Sequence, residues 1–191
     1  MAYLQCPTTP EHLQNAIQDT EPESSTPMGF SRFTLSMNQC YPGLYVGNCG
    51  AARNKANLKK TGITHILNAA QGKRYAMVDT DAEYYQSVGI TFLGFQLLDS
   101  PTANITRYLE EGAHFIDEAL HTGGKVLVCC FMGMSRSATM ACGFLMLRRN
   151  ISAVEAITTL RRARAIEPNT GFLSQLADLD NKLRTDWGTN Q

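Results

Sequence analysis

Residues 125–150 read KVLVCCFMGMSRSATMACGFLMLRRN. The stretch opens as a short apolar β run, Val126-Leu127-Val128, and passes through a loop with Gly and Ser at residues 130–135. It continues as a run rich in Ala, Met and Leu with helical character. A strand, a tight loop and a helix in that order make an anion cradle: loop amides can turn inward, and the positive end of the helix dipole faces whatever sits there. Cys130 opens the loop and Arg136 closes it, in the spacing Cys-x5-Arg. A thiolate at the base of such a loop has its charge stabilised and is armed as a nucleophile. The arginine offers a planar fork for two oxygens of one phosphate.

The elements around this stretch alternate. Leu44-Tyr45-Val46-Gly47 reads as a strand, residues 51–60 as a polar helix closed by Gly62, and residues 64–69 as a β-rich interior strand. A helix over residues 81–87 and a strand over 90–97 follow. Residues 104–121 carry Ile105, Tyr108, Leu109, Gly112, Ile116, Ala119 and Leu120 at three- and four-residue steps, the face of an amphipathic helix. After the loop, residues 137–149 are apolar almost all round, as a helix in a domain centre would be. Ser152-Ala153-Val154-Glu155 has the form of a capping box, starting a helix through Arg164, and residues 170–183 close the domain with another. This alternation predicts an α/β fold: a single domain with a central, mostly parallel sheet flanked by helices.

The sequence Cys130-Phe131-Met132-Gly133-Met134-Ser135-Arg136-Ser137 resembles the signature of the cysteine-dependent protein tyrosine phosphatases, His-Cys-x2-Gly-x2-Arg-Ser/Thr. Gly47-Asn48 and Gly62-Ile63-Thr64-His65-Ile66-Leu67-Asn68-Ala69-Ala70 sit where the small, atypical dual-specificity phosphatases carry nearly the same words. The likeness runs from Tyr41 to Leu183. It implies that Cys130 is the nucleophile, that Arg136 and the loop residues Phe131, Met132, Gly133, Met134 and Ser135 hold the phosphate, and that Ser137 assists the sulfur. Asp99, in Leu98-Asp99-Ser100-Pro101, follows a strand and precedes a long helix. On spacing alone an Asp there makes a turn; the resemblance implies a general acid. It also implies that Arg164 lies at the pocket rim and meets a second negative charge on the substrate. The chain departs from the signature at Cys129, which stands in for the histidine. A thiol is smaller and a poor donor, so the expectation is slower catalysis with the site retained, or a phosphatase-like domain that binds phosphoproteins with little or no turnover.

Residues 1–36 read as an N-terminal tail. Glu21-Pro22-Glu23-Ser24-Ser25-Thr26-Pro27 is an acidic, proline-bearing linker, and Thr9-Pro10-Glu11 could start a short helix through Ile17. A disordered tail is the preferred reading; a helix folded over the substrate side is the functional alternative. The catalytic domain is expected over residues 37–184, with a second tail over 185–191. His65 stands alone in a strand and reads as structural. His114 and His121 have no ligand partners at useful spacing, so neither metal nor cofactor is expected.

Formal net charge is zero, which argues against nucleic acid and acidic membranes as partners. The variable loop positions Phe131, Met132 and Met134 are uncharged, which argues against a phosphoinositide. A phosphorylated protein, on tyrosine or on serine/threonine, is the expected substrate, with a protein kinase as one candidate partner class. Six cysteines in a chain with no export pattern point to a reducing compartment, cytoplasmic or nuclear.

Overall fold

The computed structural model describes residues 6–23 and 36–188. Five strands form one sheet: β1 (Met37–Tyr41), β2 (Leu44–Gly47), β3 (His65–Asn68), β4 (Thr91–Gly94) and β5 (Val126–Cys129). Their spatial order is β1-β2-β5-β3-β4, parallel except where β1 pairs antiparallel with β2. The mostly parallel sheet expected from the alternating pattern is therefore present, with β5 at its centre.

The central strand explains why its sequence shows no polar alternation. Val126 and Val128 enter a large core on one face, while Leu127 and Cys129 enter a smaller core on the other. A strand covered on both faces reads as a continuous apolar run. The larger core is built around α6 (Arg136–Arg149), in which every residue from Arg136 to Met146 is buried. It is completed by α5 (Thr106–His121), α7 (Ala153–Ala163) and α8 (Thr170–Gly188). The smaller core lies under α2 (Cys49–Arg53), α3 (Lys55–Thr61) and α4 (Ala82–Gln86), around Leu58, Ile66 and Tyr85.

Two local features differ from expectation. The single helix expected over residues 51–60 is broken at Asn54, whose side chain accepts from the Asn57 amide at 2.9 Å and so starts a new helix. Gly62 ends α3 in the left-handed conformation at φ 78°, as its position suggested. Strand β1 was not foreseen, because Met37-Asn38-Gln39-Cys40-Tyr41 has no apolar alternation; it exists because it pairs with β2.

The disordered tail fails over residues 10–18. These form α1 (Pro10–Gln18), with Leu13 and Ile17 buried against the larger core, and the helix packs on α7 and α8. Its capping box uses His12 in place of the usual Glu: the His12 amide donates to Thr9 Oγ1, and His12 Nδ1 accepts from the Thr9 amide. Asp180 ties it down. Its carboxylate accepts from Thr8 Oγ1 at 2.6 Å and from the Ala153 amide at 2.8 Å, and pairs with Arg184 at 2.9 Å. At the other end Arg161 Nε donates to Thr20 O at 3.1 Å. Most of the expected linker, residues 24–27, lies outside the described residues, as do residues 189–191 of the expected C-terminal tail; α8 itself continues to Gly188.

Candidate active site

The loop between β5 and α6 is shaped by what holds its carbonyls. Phe131 O accepts from the Cys49 amide at 3.1 Å, and Met132 O from Arg164 Nη2 at 3.2 Å. Gly133 O accepts from Arg164 Nε at 2.6 Å, and Met134 O from the Glu167 amide at 2.9 Å. Ser135 O accepts from the Thr139 amide and hydroxyl, each at 2.9 Å. Every loop carbonyl from 131 to 135 is thus tied to a donor outside the loop. In a trans peptide the N–H points opposite to the preceding carbonyl, so the amides of residues 132–136 face away from those donors, into the cradle. Gly133 demonstrates the result: its amide donates to Cys130 Sγ at 3.2 Å. Its φ of 71° needs glycine, and a Cβ there would stand 2.5 Å from the Gly47 carbonyl carbon.

Cys130 Sγ sits at the bottom, almost fully buried, with Ser137 Oγ 3.2 Å away. The Gly133 amide and Ser137 hydroxyl are the donors that can stabilise a thiolate, and the N-terminus of α6 adds its dipole.

Arg136 is held from the side. Its Nη1 donates to Leu97 O at 3.1 Å and touches Met77 Sδ at 3.6 Å, and its Nη2 donates to Ala76 O at 3.0 Å. Ala76 delivers that carbonyl from a left-handed backbone, φ 59°, a conformation costly for a residue with a Cβ. Buried Asn68 braces the segment, donating to Val78 O and Thr80 Oγ1 at 3.0 Å each. The remaining nitrogen, Nε, is buried and has no hydrogen-bond partner among the described residues. Asp99 Oδ2 lies 3.4 Å from it, close enough for attraction though not aligned as a hydrogen bond. A buried cationic N–H left open is costly, and an anion in the cradle would satisfy it.

Asp99 is fixed above the loop through Oδ1, which accepts from Ser135 Oγ at 2.8 Å and from Asn169 Nδ2 at 2.9 Å. Asn169 is a site residue that sequence reasoning missed. It also accepts from the Phe172 amide at 3.0 Å, so it caps α8 while orienting the acid. Its signal was present, an Asn after Pro168 and ahead of a helix, but that marks a cap and not a role in a site.

Arg164 is not at the rim. It is 6% exposed, and besides the two loop carbonyls it donates through Nη1 to Ser36 Oγ and Asn38 Oδ1, both at 2.9 Å. Burial pushes its guanidinium below the usual arginine range, yet all three nitrogens are engaged. This side chain braces the loop from behind; it does not present a charge to solvent.

Cys129 points to the opposite face of the sheet from α6 and is fully buried. Burial first, and then the neighbouring Cys130 and Cys49, push its thiol far above the ordinary range, so it stays neutral. His65 lies at the other end of the sheet: it pairs with Val126, while the cradle begins after Cys129. Its ring contacts Thr64 Oγ1 at 2.8 Å and packs edge-on against Phe115.

A loop that cradles an anion over a buried thiol, with an arginine beside it and a carboxyl above, can transfer a phosphoryl group through sulfur. Known proteins bear on the class. The family described as the dual-specificity phosphatase catalytic domain matches residues 44–182. Human dual specificity protein phosphatase 13B is 42% identical over 153 residues, covering 80% of this chain and 76% of that protein; the mouse protein is 41% identical over the same shares. Human DUSP28 superposes with a TM-score of 0.68 at 28% identity, covering 78% of this chain and 95% of that one. The human tyrosine phosphatase-like serine/threonine/tyrosine-interacting protein gives 0.67 at 31% identity, covering 74% and 93%. The chain therefore belongs to the small, atypical dual-specificity phosphatases, within the cysteine-dependent protein tyrosine phosphatase superfamily.

Proposed function

We propose that the protein hydrolyses phosphotyrosine and phosphoserine/phosphothreonine in proteins through a cysteinyl-phosphate intermediate. The observation that carries this reading is the loop whose carbonyls are all tied outward around Cys130 Sγ.

In the first step Cys130 thiolate attacks phosphorus; an S–P bond forms and the P–O bond to the substrate side chain breaks. The amides of residues 132–136 and Arg136 Nε hold the equatorial oxygens as charge spreads over them. Phosphate entering the cradle replaces Asp99 Oδ2 as the partner of Arg136 Nε. Asp99, in its acid form, gives its proton to the leaving oxygen. In the second step Asp99 as carboxylate takes a proton from water, whose oxygen attacks phosphorus. The S–P bond breaks, and the Ser137 hydroxyl, 3.2 Å from the sulfur, donates to the departing thiolate.

The test is release of p-nitrophenol from its phosphate ester, with chelator present. Wild type should turn over, Cys130→Ser should not, and Asp99→Asn should slow most on phosphoserine peptides, whose leaving alkoxide needs the proton. Turnover that survives Cys130→Ser would defeat the mechanism.

Cys129 and the likeness to a phosphatase-like interacting protein favour a second reading, in which the domain binds phosphoproteins and turns them over little or not at all. Retention of Cys130, Arg136, Asp99 and Ser137 together favours the enzyme, since binding alone needs neither thiol nor acid. The setting that goes with this reading is the cytoplasm or nucleus, where a catalytic thiol stays reduced; all six cysteines are free here. A protein kinase belongs to the proposed partners only as a phosphorylated substrate or its source.

A further inference from the structure

Among the described residues three large apolar side chains stand exposed: Tyr75 at 79%, Leu98 at 54% and Met132 at 41%. All three adjoin the cradle. Tyr75 precedes Ala76, whose carbonyl holds Arg136, and its ring lies 6.2 Å from that of Phe131 in the loop. Leu98 lies between Leu97, whose carbonyl also holds Arg136, and Asp99. Met132 is a loop residue, fixed through its carbonyl by Arg164. Isolated exposed apolar residues need no explanation, but a cluster at the mouth of a polar site marks a contact surface.

The charges nearby narrow what touches it. An open groove of about 560 Å³ runs from Met77 and Leu98 past Lys73 and Arg74, but Asp79 and Asp81 line it too. Two cations beside two carboxylates leave the groove without net positive charge. Arg164, the residue that could have met a second phosphate, is buried with every nitrogen engaged.

We infer that Tyr75, Leu98 and Met132 form an apolar collar that selects a singly phosphorylated protein segment with a large apolar side chain beside the phosphorylated residue. This rests on the phosphoprotein reading above and names the substrate within it. The phosphate fills the cradle, and the neighbouring apolar side chain lies against the collar, which water then leaves. Doubly phosphorylated segments gain nothing, since the groove beside the collar carries no net positive charge and Arg164 is already engaged.

The test compares kcat/KM for phosphotyrosine peptides flanked by Leu on both sides with the same peptides flanked by Ser. Wild type should prefer Leu by roughly 10-fold, the size expected for one apolar side chain meeting a surface pocket. In Tyr75→Ser/Leu98→Ser the ratio should fall to about 2 or less. A peptide with a second phosphate two residues away should be no better than its singly phosphorylated form. A wild-type ratio under 2, a ratio retained in the double variant, or a 10-fold gain from the second phosphate would each overturn the inference. If the double variant does not fold, Tyr75→Ser alone, at the most exposed of the three positions, carries the comparison. If wild type hydrolyses nothing, the phosphatase reading fails separately. The ratio of Kd values measured calorimetrically on Cys130→Ser then tests the collar by the same thresholds. Sedimentation with phosphatidylserine vesicles, lost in the double variant and accompanied by no peptide preference, would assign the collar to a lipid surface and overturn the proposal.

Discussion

Replacing Arg164 with alanine removes the donors of two loop carbonyls at once. Gly133 O loses a bond of 2.6 Å and Met132 O one of 3.2 Å, while Ser36 and Asn38 lose their common partner. Hydrogen bonds from a charged donor are worth roughly 1.5–3 kcal/mol each. Relief from burying a guanidinium, whose cost is visible in its lowered pKa, offsets part of the loss. The net destabilisation should be about 3 kcal/mol, read as a lower urea midpoint. Activity should suffer more than stability suggests. With two carbonyls released, the peptides flanking Gly133 can turn, and the amides that line the cradle lose their aim. Losing preorganised donors of this kind costs on the order of 10²-fold in kcat. Arg164→Lys keeps the charge but cannot span four acceptors, so it should recover stability partly and kcat little. A rim arginine behaves differently: its loss raises KM for substrates bearing a second charge and leaves kcat on p-nitrophenyl phosphate and the urea midpoint alone. That pattern in Arg164→Ala would refute the bracing role.

Gly133→Ala should abolish turnover and lower stability by about 2 kcal/mol or more, because the left-handed backbone and the contact with Gly47 both oppose a Cβ; urea melts and phosphatase assays check it together. Cys129→His restores the family signature in a space fully closed by core side chains. It should speed turnover while costing about 1–3 kcal/mol through overpacking, and an unchanged or slower rate would mean the missing histidine does not limit this enzyme. Ser152→Ala should cost about 1 kcal/mol at pH 7. The hydroxyl and then the amide of Ser152 hold Glu155 below its usual carboxylate range, so the capping box stabilises the fold above that range and loses strength as pH falls through the lowered value. The difference between Ser152→Ala and wild type should therefore narrow in melts at pH 3.

What could be read along the chain is what repeats within one turn or one strand. Val126-Leu127-Val128, the Cys-x5-Arg spacing and the apolar helix after it are contiguous, and they fix the central strand, the loop and the buried helix. Asp99 reads from its spacing only as a turn residue, and the family resemblance alone marked it as a site residue; it does lie over the loop. The role of Arg164 depends on partners 31 and 128 positions away, Gly133 and Ser36, and nothing near residue 164 encodes that. Asn169 was missed for the same reason, since a helix cap reads identically whether or not its other atom holds an acid. The N-terminal helix is weakly marked in the sequence because His12 fills the capping position that Glu normally marks, although Leu13 and Ile17 carry the four-residue spacing. Ala76 has no sequence signal at all, since alanine does not announce a left-handed backbone.

The central claim is that Cys130 carries the phosphoryl group between two steps. Wild type should be mixed rapidly with a phosphotyrosine peptide, quenched in acid and mapped by mass spectrometry for phosphate on sulfur. The account predicts phosphate on Cys130 within the first turnover, increased when Asp99→Asn slows attack by water, and absent from Cys130→Ser. Steady release of phosphate with no phosphate ever found on Cys130 would contradict it.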